Sequence, residues 1–199
     1  MSARRLKLAS GLAAGLALVF LVARPWRNQP ASPPVREASL SELVRRDDRM
    51  YLGGETEPFS GVMIGRYPSG ELMSKSELVR GILHGVSEGW HTNGVLQVRE
   101  HFQEGVSHGV RTKWFADGRK ISEATIKNGQ VVGEFRRWHE NGALAESINL
   151  TNGSPEGVSW AFYPSGFAQA TARHENGALV HRESWKDGEH KTPMPEASP

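Results

Sequence analysis

Residues 85–109 read GVSEGWHTNGVLQVREHFQEGVSHG, and residues 109–133 read GVRTKWFADGRKISEATIKNGQVVG. Shifted by 24 positions, the two segments align glycine on glycine, aromatic on aromatic and turn on turn. The register continues in both directions. Gly61, Gly85, Gly109, Gly133 and Gly157 lie 24 apart, as do Gly70, Gly94, Gly118, Gly142 and Gly166, and again Gly81, Gly105, Gly129, Gly153 and Gly177. Fifteen of the 22 glycines thus occupy three repeat positions. No insertion interrupts the five units 61–84, 85–108, 109–132, 133–156 and 157–180, and a partial sixth follows at 181–188. Self-similarity at a fixed period of roughly 20–50 residues marks a repeat architecture, in which each unit is one supersecondary element.

Within a unit, strand chemistry alternates with turn chemistry. Five residues after the first glycine stand Arg66, Trp90, Trp114, Trp138 and Phe162, followed at once by Tyr67, His91, Phe115, His139 and Tyr163. Next come PSG, TNG, ADG, ENG and PSG, ending at Gly70, Gly94, Gly118, Gly142 and Gly166. Asn-Gly and Asp-Gly promote hairpin turns because both residues tolerate positive φ. A second strand then alternates apolar with polar side chains, as in Leu96, Val98 and Phe102 or Leu144, Ile148 and Leu150, before a second turn glycine. The pattern predicts an all-β fold: an elongated antiparallel β-hairpin array forming a single twisted sheet. Ten strands at about 4.8 Å each predict a ribbon on the order of 50 Å long, with roughly additive stability along the array. Successive side chains point to opposite faces, so the two aromatic rows separate. The row Trp90, Trp114, Trp138 and Phe162, with Leu72, Leu96 and Leu144, is expected on the packed face, and the row beginning at Tyr67 is expected to be more exposed.

These residues resemble the bacterial variant of the MORN repeat, whose pattern is roughly a glycine, an aromatic pair, an Asn-Gly turn, an alternating strand and a second turn glycine. The preceding RRDDRMYLGGETEPFSGVM (Arg45–Met63) is similar to the lead-in that often opens such arrays, here with Pro58-Phe59-Ser60-Gly61. The resemblance covers about residues 45–188. It implies a single-sheet array and roles in scaffolding, membrane apposition or oligomerisation. Similar members often carry the label of antitoxin-like repeat proteins, and no fused catalytic domain is expected beside the array.

Composition narrows the chemistry. The 199 residues include no cysteine, which excludes disulfides, thiolate metal sites and a cysteine nucleophile. The net charge of +2 arises from the leader: residues 1–24 hold Arg4, Arg5, Lys7 and Arg24 and no acid, and without these four the remaining 20 basic residues face 22 acidic ones. Leu8 to Ala23 is an uncharged, mostly apolar run behind that cluster, the pattern of an export signal. Cleavage after Ala23 puts Leu21 where a small residue is preferred, so a signal anchor is favoured over a cleaved signal peptide. Basic flanks stay cytoplasmic. The body is therefore expected across the membrane, periplasmic or extracellular, away from nucleic acid. Residues 25–38 read as a Pro-rich linker, and 39–60 as a lead-in with a capping-box pattern at Ser39 and Glu42. The fifth unit carries Ala168, Ala170, Ala172 and His174 in place of bulkier residues and has His181 where a glycine is due, as suits a terminal cap. Trp185 and Gly188 suggest a last partial hairpin, and 189–199 a disordered tail.

No constellation for catalysis emerges. Histidines at equivalent positions, such as His84 and His108 or His91 and His139, should lie about 10 or 20 Å apart, too far to share one metal ion. The serines of PSG sit in turns, no nucleophile elbow occurs, and the glycines lack the strand–loop–helix context of a phosphate cradle. No catalytic residue, metal or cofactor is expected. The residues assigned to partner binding are Tyr67, His91, Phe115, His139 and Tyr163, an aromatic stripe suited to an extended partner or a second copy. Arg111, Lys113, Arg136 and Arg137 form a basic cluster that would suit anionic lipid headgroups. The expected function is a non-enzymatic, exported protein-binding or scaffolding module at the cell envelope. An antitoxin or immunity-like protein is the alternative, and a cell-envelope hydrolase a distant third.

Overall fold

A computed structural model of the chain describes residues 35–190. The leader with its expected helix, the linker up to Pro34 and residues 191–199 lie outside the described residues. The lead-in folds as β1 (Glu37–Ser39), a one-turn 3-10 helix (Leu40–Glu42), β2 (Leu43–Arg46) and β3 (Arg49–Leu52). Unit one supplies β4 (Gly61–Arg66) and β5 (Leu72–Val79); unit two supplies β6 (Ile82–Trp90) and β7 (Leu96–Gln103). There follow β8 (Val106–Ser107), β9 (Gly109–Trp114), β10 (Lys120–Lys127), β11 (Gln130–Trp138) and β12 (Leu144–Thr151). The last elements are β13 (Ser154–Pro155), β14 (Gly157–Phe162), β15 (Ala168–Glu175) and β16 (Ala178–Ser184).

One sheet runs β1-β4-β5-β6-β7-β9-β10-β11-β12-β14-β15-β16, with β8 on β7 and β13 on β12, while β2 and β3 form a separate hairpin. Neighbours in sequence are neighbours in space, as the hairpin pattern predicts. The exception to antiparallel pairing is β1, which adds in parallel, Glu37 facing Val62 and Ala38 facing Met63. The end of the expected linker is therefore part of the sheet. The capping box forms at the single 3-10 turn, where the Ser39 N–H donates to Glu42 Oε2 at 2.7 Å and the Ser41 N–H to Ser39 Oγ at 3.3 Å.

The two turns of a unit differ more than their sequences suggest. The second has positive φ at both central residues, Arg80-Gly81, Glu104-Gly105, Asn128-Gly129, Asn152-Gly153 and Asn176-Gly177, the backbone of a type I′ hairpin. The first has positive φ at its glycine alone. Asn93 and Asp117 instead use their side chains, Asn93 Oδ1 accepting from the Val95 N–H at 3.1 Å and Asp117 Oδ1 from the Arg119 N–H at 2.9 Å. The expectation that positive φ explains both turns is corrected accordingly: short polar side chains here cap the turn by accepting a backbone hydrogen bond. Register slips by one residue beside this turn in every unit, between Gly65 and Arg66, Gly89 and Trp90, Arg137 and Trp138, and Ala161 and Phe162, with the same slip opposite Trp114. Such bulges raise local twist.

Dry core is confined to the two ends. Ala38, Leu43, Phe59 and Leu78 cluster beneath the lead-in with Met50, Leu52 and Met63. Leu144, Phe162 and Ala168 cluster at the other end with Trp138, Trp160 and Trp185. In the middle the fully covered apolar residues are Ala124 and Ile126. Trp90, Trp114 and Trp138 are only half-buried, as are Leu72 and Leu96, so the packed-face expectation holds in full for Phe162 and Leu144. A single sheet has no second layer to cover a side chain of that size.

Candidate interaction surfaces

Residues opposite one another in register share a face. Gly89, Val98, Lys113, Ser122, Arg137, Glu146, Ala161 and Ala170 form one transverse row, which marks the first face. Glu88, Arg99, Thr112, Glu123, Arg136, Ser147, Trp160 and Thr171 form the corresponding row on the second face.

The stripe assigned to partner binding is engaged in holding the array together. Tyr67 Oη donates to the Trp90 carbonyl at 2.6 Å, and Tyr163 Oη to the Trp185 carbonyl at 3.0 Å. His91 Nε2 donates to the Trp114 carbonyl at 2.9 Å and His139 Nε2 to the Phe162 carbonyl at 2.8 Å. A carbonyl only accepts, so each Nε2 carries the proton. Every one of these bonds joins one unit to the next. Phe115, which has no polar atom, leaves that link unmade. All five residues are half-buried, as are Trp90, Trp114 and Trp138, while Phe162 is more deeply buried than its neighbour Tyr163. The signal was present in the sequence as a polar-tipped ring in four of five units, but residue type alone does not reveal the 23-residue reach to a carbonyl.

The opposite margin of the ribbon is tied through backbone. The N–H groups of Gly105, Gly129 and Gly153 donate to the carbonyls of Leu83, Ser107 and Val131 at 2.8, 2.9 and 3.0 Å. Each turn glycine therefore closes its own hairpin and fastens it to the unit before.

The basic cluster dissolves in three dimensions. Arg111 meets Glu100 at 3.4 Å, Arg136 meets Glu134 at 2.5 Å and Arg137 meets Glu146 at 3.2 Å. Arg136 lies on the second face and Arg111, Lys113 and Arg137 on the first. Alternating charge along a row favours local ion pairs over a basic patch. Partial burial pushes the Glu134 carboxyl up, but hydrogen bonds from Arg136 and Ser147 outweigh it and hold the group below its ordinary value.

Among the described residues no group of His, Asp and Glu is arranged to hold a metal ion, and no helix is long and apolar enough to cross a membrane. The histidines fall at separate places: His91 and His139 in inter-unit bonds, His84 and His101 exposed, His108 half-buried. On the second face, Val86, Val110 and Val158 occupy one position of units two, three and five. Val110 and Val158 are 46% and 40% exposed. Beside Val86 a cleft of about 460 Å³ is lined by Lys75, Glu77, Glu88, Arg99 and His101.

Residues 83–104 match the family model described as the MORN repeat variant, one unit's length of the array. No curated protein matches the chain. Among solved structures, a mutant of S. aureus TarM in complex with fondaparinux, alpha-GlcNAc-glycerol and UDP is similar at TM-score 0.31 and 14% identity, over 48% of this chain and 19% of that one. A second crystal structure of TarM is similar at TM-score 0.29 and 14% identity, over 44% and 17%. The chain thus spans less than a fifth of those structures' length, and likeness at this level carries no argument.

Proposed function

We propose that this chain is an exported, non-enzymatic repeat protein acting as a protein-binding scaffold at the cell envelope, held there by its N-terminal apolar segment. The single observation that carries the binding reading is the second face of the ribbon. There, exposed Val110 and Val158 stand at one unit position in units three and five, with Glu134, paired to Arg136, at that position between them. Scattered apolar side chains are ordinary on a protein surface, whereas a row in repeat register presents a regular contact surface to an extended partner. Two units of separation set the valines roughly 20 Å apart, within one partner's footprint. The array's own match to a repeat that generally serves as a protein- or membrane-binding module supports the same reading. The export and anchoring part rests on the basic cluster and apolar run of residues 1–23.

The structure also changes which residues should be altered in a test. Alanine at Tyr67 or Tyr163 removes an inter-unit bond, so loss of binding would report on folding as much as on contact. Val110→Asp with Val158→Asp leaves those bonds intact. After membrane fractionation with a high-salt wash, crosslinked capture should recover a partner with the wild type and lose it with the double variant. Capture that is indifferent to both aspartates removes the second face from consideration. Release of the protein from membranes by high salt alone would contradict the anchor.

A further inference from the structure

Unit five differs from its neighbour on the first face. Ser159, Ala161, Ala170 and Ala172 stand where unit four presents Phe135, Arg137, Glu146 and Ile148. The loss of side-chain volume leaves an open cleft of about 270 Å³, walled by Ile148 and Leu179. Charge is distributed along it with opposite signs at the two ends. Glu146 on β12, bonded to Arg137 Nε at 3.2 Å, lines one end, and Arg182 on β16 lines the other. Arg182 makes no ion pair among the described residues. His174 also lines the cleft, and its Nδ1 is buried without a hydrogen-bond partner.

An unpaired ring nitrogen is costly to bury. Three strand spacings separate β12 from β16, about 14 Å. An extended tripeptide spans roughly 10 Å, and the Glu146 and Arg182 side chains can reach inward over the remainder.

We propose that this cleft binds a short apolar peptide with both ends free, its ammonium group at Glu146, its carboxylate at Arg182 and its side chains over the alanine floor. Because the opposite charges are read together, the two ends fix both direction and length. An internal segment of a longer protein carries neither charged end, so the occupant is a free peptide rather than a docked chain. The proposal concerns the first face and stands apart from the scaffold reading, which uses the second.

Trileucine titrated into the full-length protein tests it, followed by amide NMR shifts. The shifts should be confined to Ala161, Ala170, Ala172, His174 and Arg182, with a Kd on the order of 1 mM for so open a cleft. N-acetyl-trileucine and trileucine amide should each bind about two- to fivefold more weakly, the scale of one exposed ion pair. Ala170→Leu with Ala172→Leu fills the floor and should weaken binding by about tenfold or more. Should that variant fail to fold, Arg182→Gln at an exposed position should abolish the difference between trileucine and its amide. Equal binding of a peptide blocked at both ends overturns the proposal. So do shifts that fall elsewhere on the sheet, or affinity unchanged in the filled variant.

Discussion

The two ends of the ribbon are built on different principles. At the N-terminal end the lead-in folds over unit one: Phe59 is 0% exposed, and the hairpin β2–β3 is fastened by Met50 and Phe59 through backbone bonds to Gly81 and Met50. At the C-terminal end β16 is exposed along all seven residues, with Leu179 at 56% and Val180 at 51%. Closure there is limited to one margin, where Trp185 stacks on Trp160 at 6.4 Å and on His190 at 4.4 Å. A single sheet cannot enclose a core by itself. At the N-terminal end it acquires one from sequence outside the repeat, at the C-terminal end only along the margin of Leu144, Phe162 and Ala168.

The largest effect tests this contrast directly. Phe59→Ala should cost about 3–5 kcal/mol, the scale for a fully enclosed phenylalanine, while Leu179→Ala on the open strand should stay within about 0.5 kcal/mol. Thermal or denaturant unfolding of each variant checks both. Native-state hydrogen exchange should find β15 and β16 opening before β4 and β5. Equal protection at the two ends would mean that the lead-in adds no local stability.

A smaller effect separates backbone conformation from surroundings. Gly81 and Gly177 occupy the same repeat position with nearly the same backbone, φ +75 and +79. A Cβ on Gly81 would lie 2.7 Å from the Met50 carbonyl oxygen, whereas one on Gly177 meets nothing nearer than Ser154 Cβ at 3.4 Å. Gly177→Ala should therefore cost about 1 kcal/mol for the left-handed backbone alone. Gly81→Ala should cost at least about 1 kcal/mol more, because backbone of the lead-in must shift. Equal losses would show that Met50 yields freely.

The middle of the ribbon was legible for a physical reason. A period of 24 imposes one backbone solution on every unit, so glycines and alternating strands name the hairpins before any contact is known. The ends depart from the period, and what they pack against depends on chain that folds back, as Phe59 does beneath the lead-in. The stripe from Tyr67 to Tyr163 was legible as a row, but its inter-unit bonds were not. Hydrophobic alternation reports which face a ring occupies, while the carbonyl one unit away that accepts its hydrogen bond follows only from the strand register. That distinction is open to measurement. His91→Phe should cost about 0.5–1.5 kcal/mol by leaving the Trp114 carbonyl unpaired, and Phe115→His should recover part of that amount by supplying the one missing link to Trp138. Because both positions lie mid-array, neither should alter the difference in exchange between the two ends.

The smallest effect runs against the first comparison, since turn chemistry improves toward the end whose last strand is exposed. The type I′ turns of units three to five place Asn128, Asn152 and Asn176 at φ +50 to +52, and asparagine tolerates that region. Units one and two hold Arg80 and Glu104 at φ +50, where a longer side chain is strained. Unit one tolerates arginine because its backbone is held from both sides: the Arg80 N–H donates to Ser60 Oγ at 2.8 Å, and Arg49 Nη1 donates to the Arg80 carbonyl at 2.7 Å. Both bonds use main-chain atoms of residue 80 and survive substitution. Arg80→Asn should therefore stabilise by about 0.5–1 kcal/mol, and Asn176→Arg should destabilise the open end by a similar amount. If Arg80→Asn instead destabilises, the arginine side chain contributes packing that outweighs its backbone strain, and the lead-in end owes its stability to that turn as well as to Phe59.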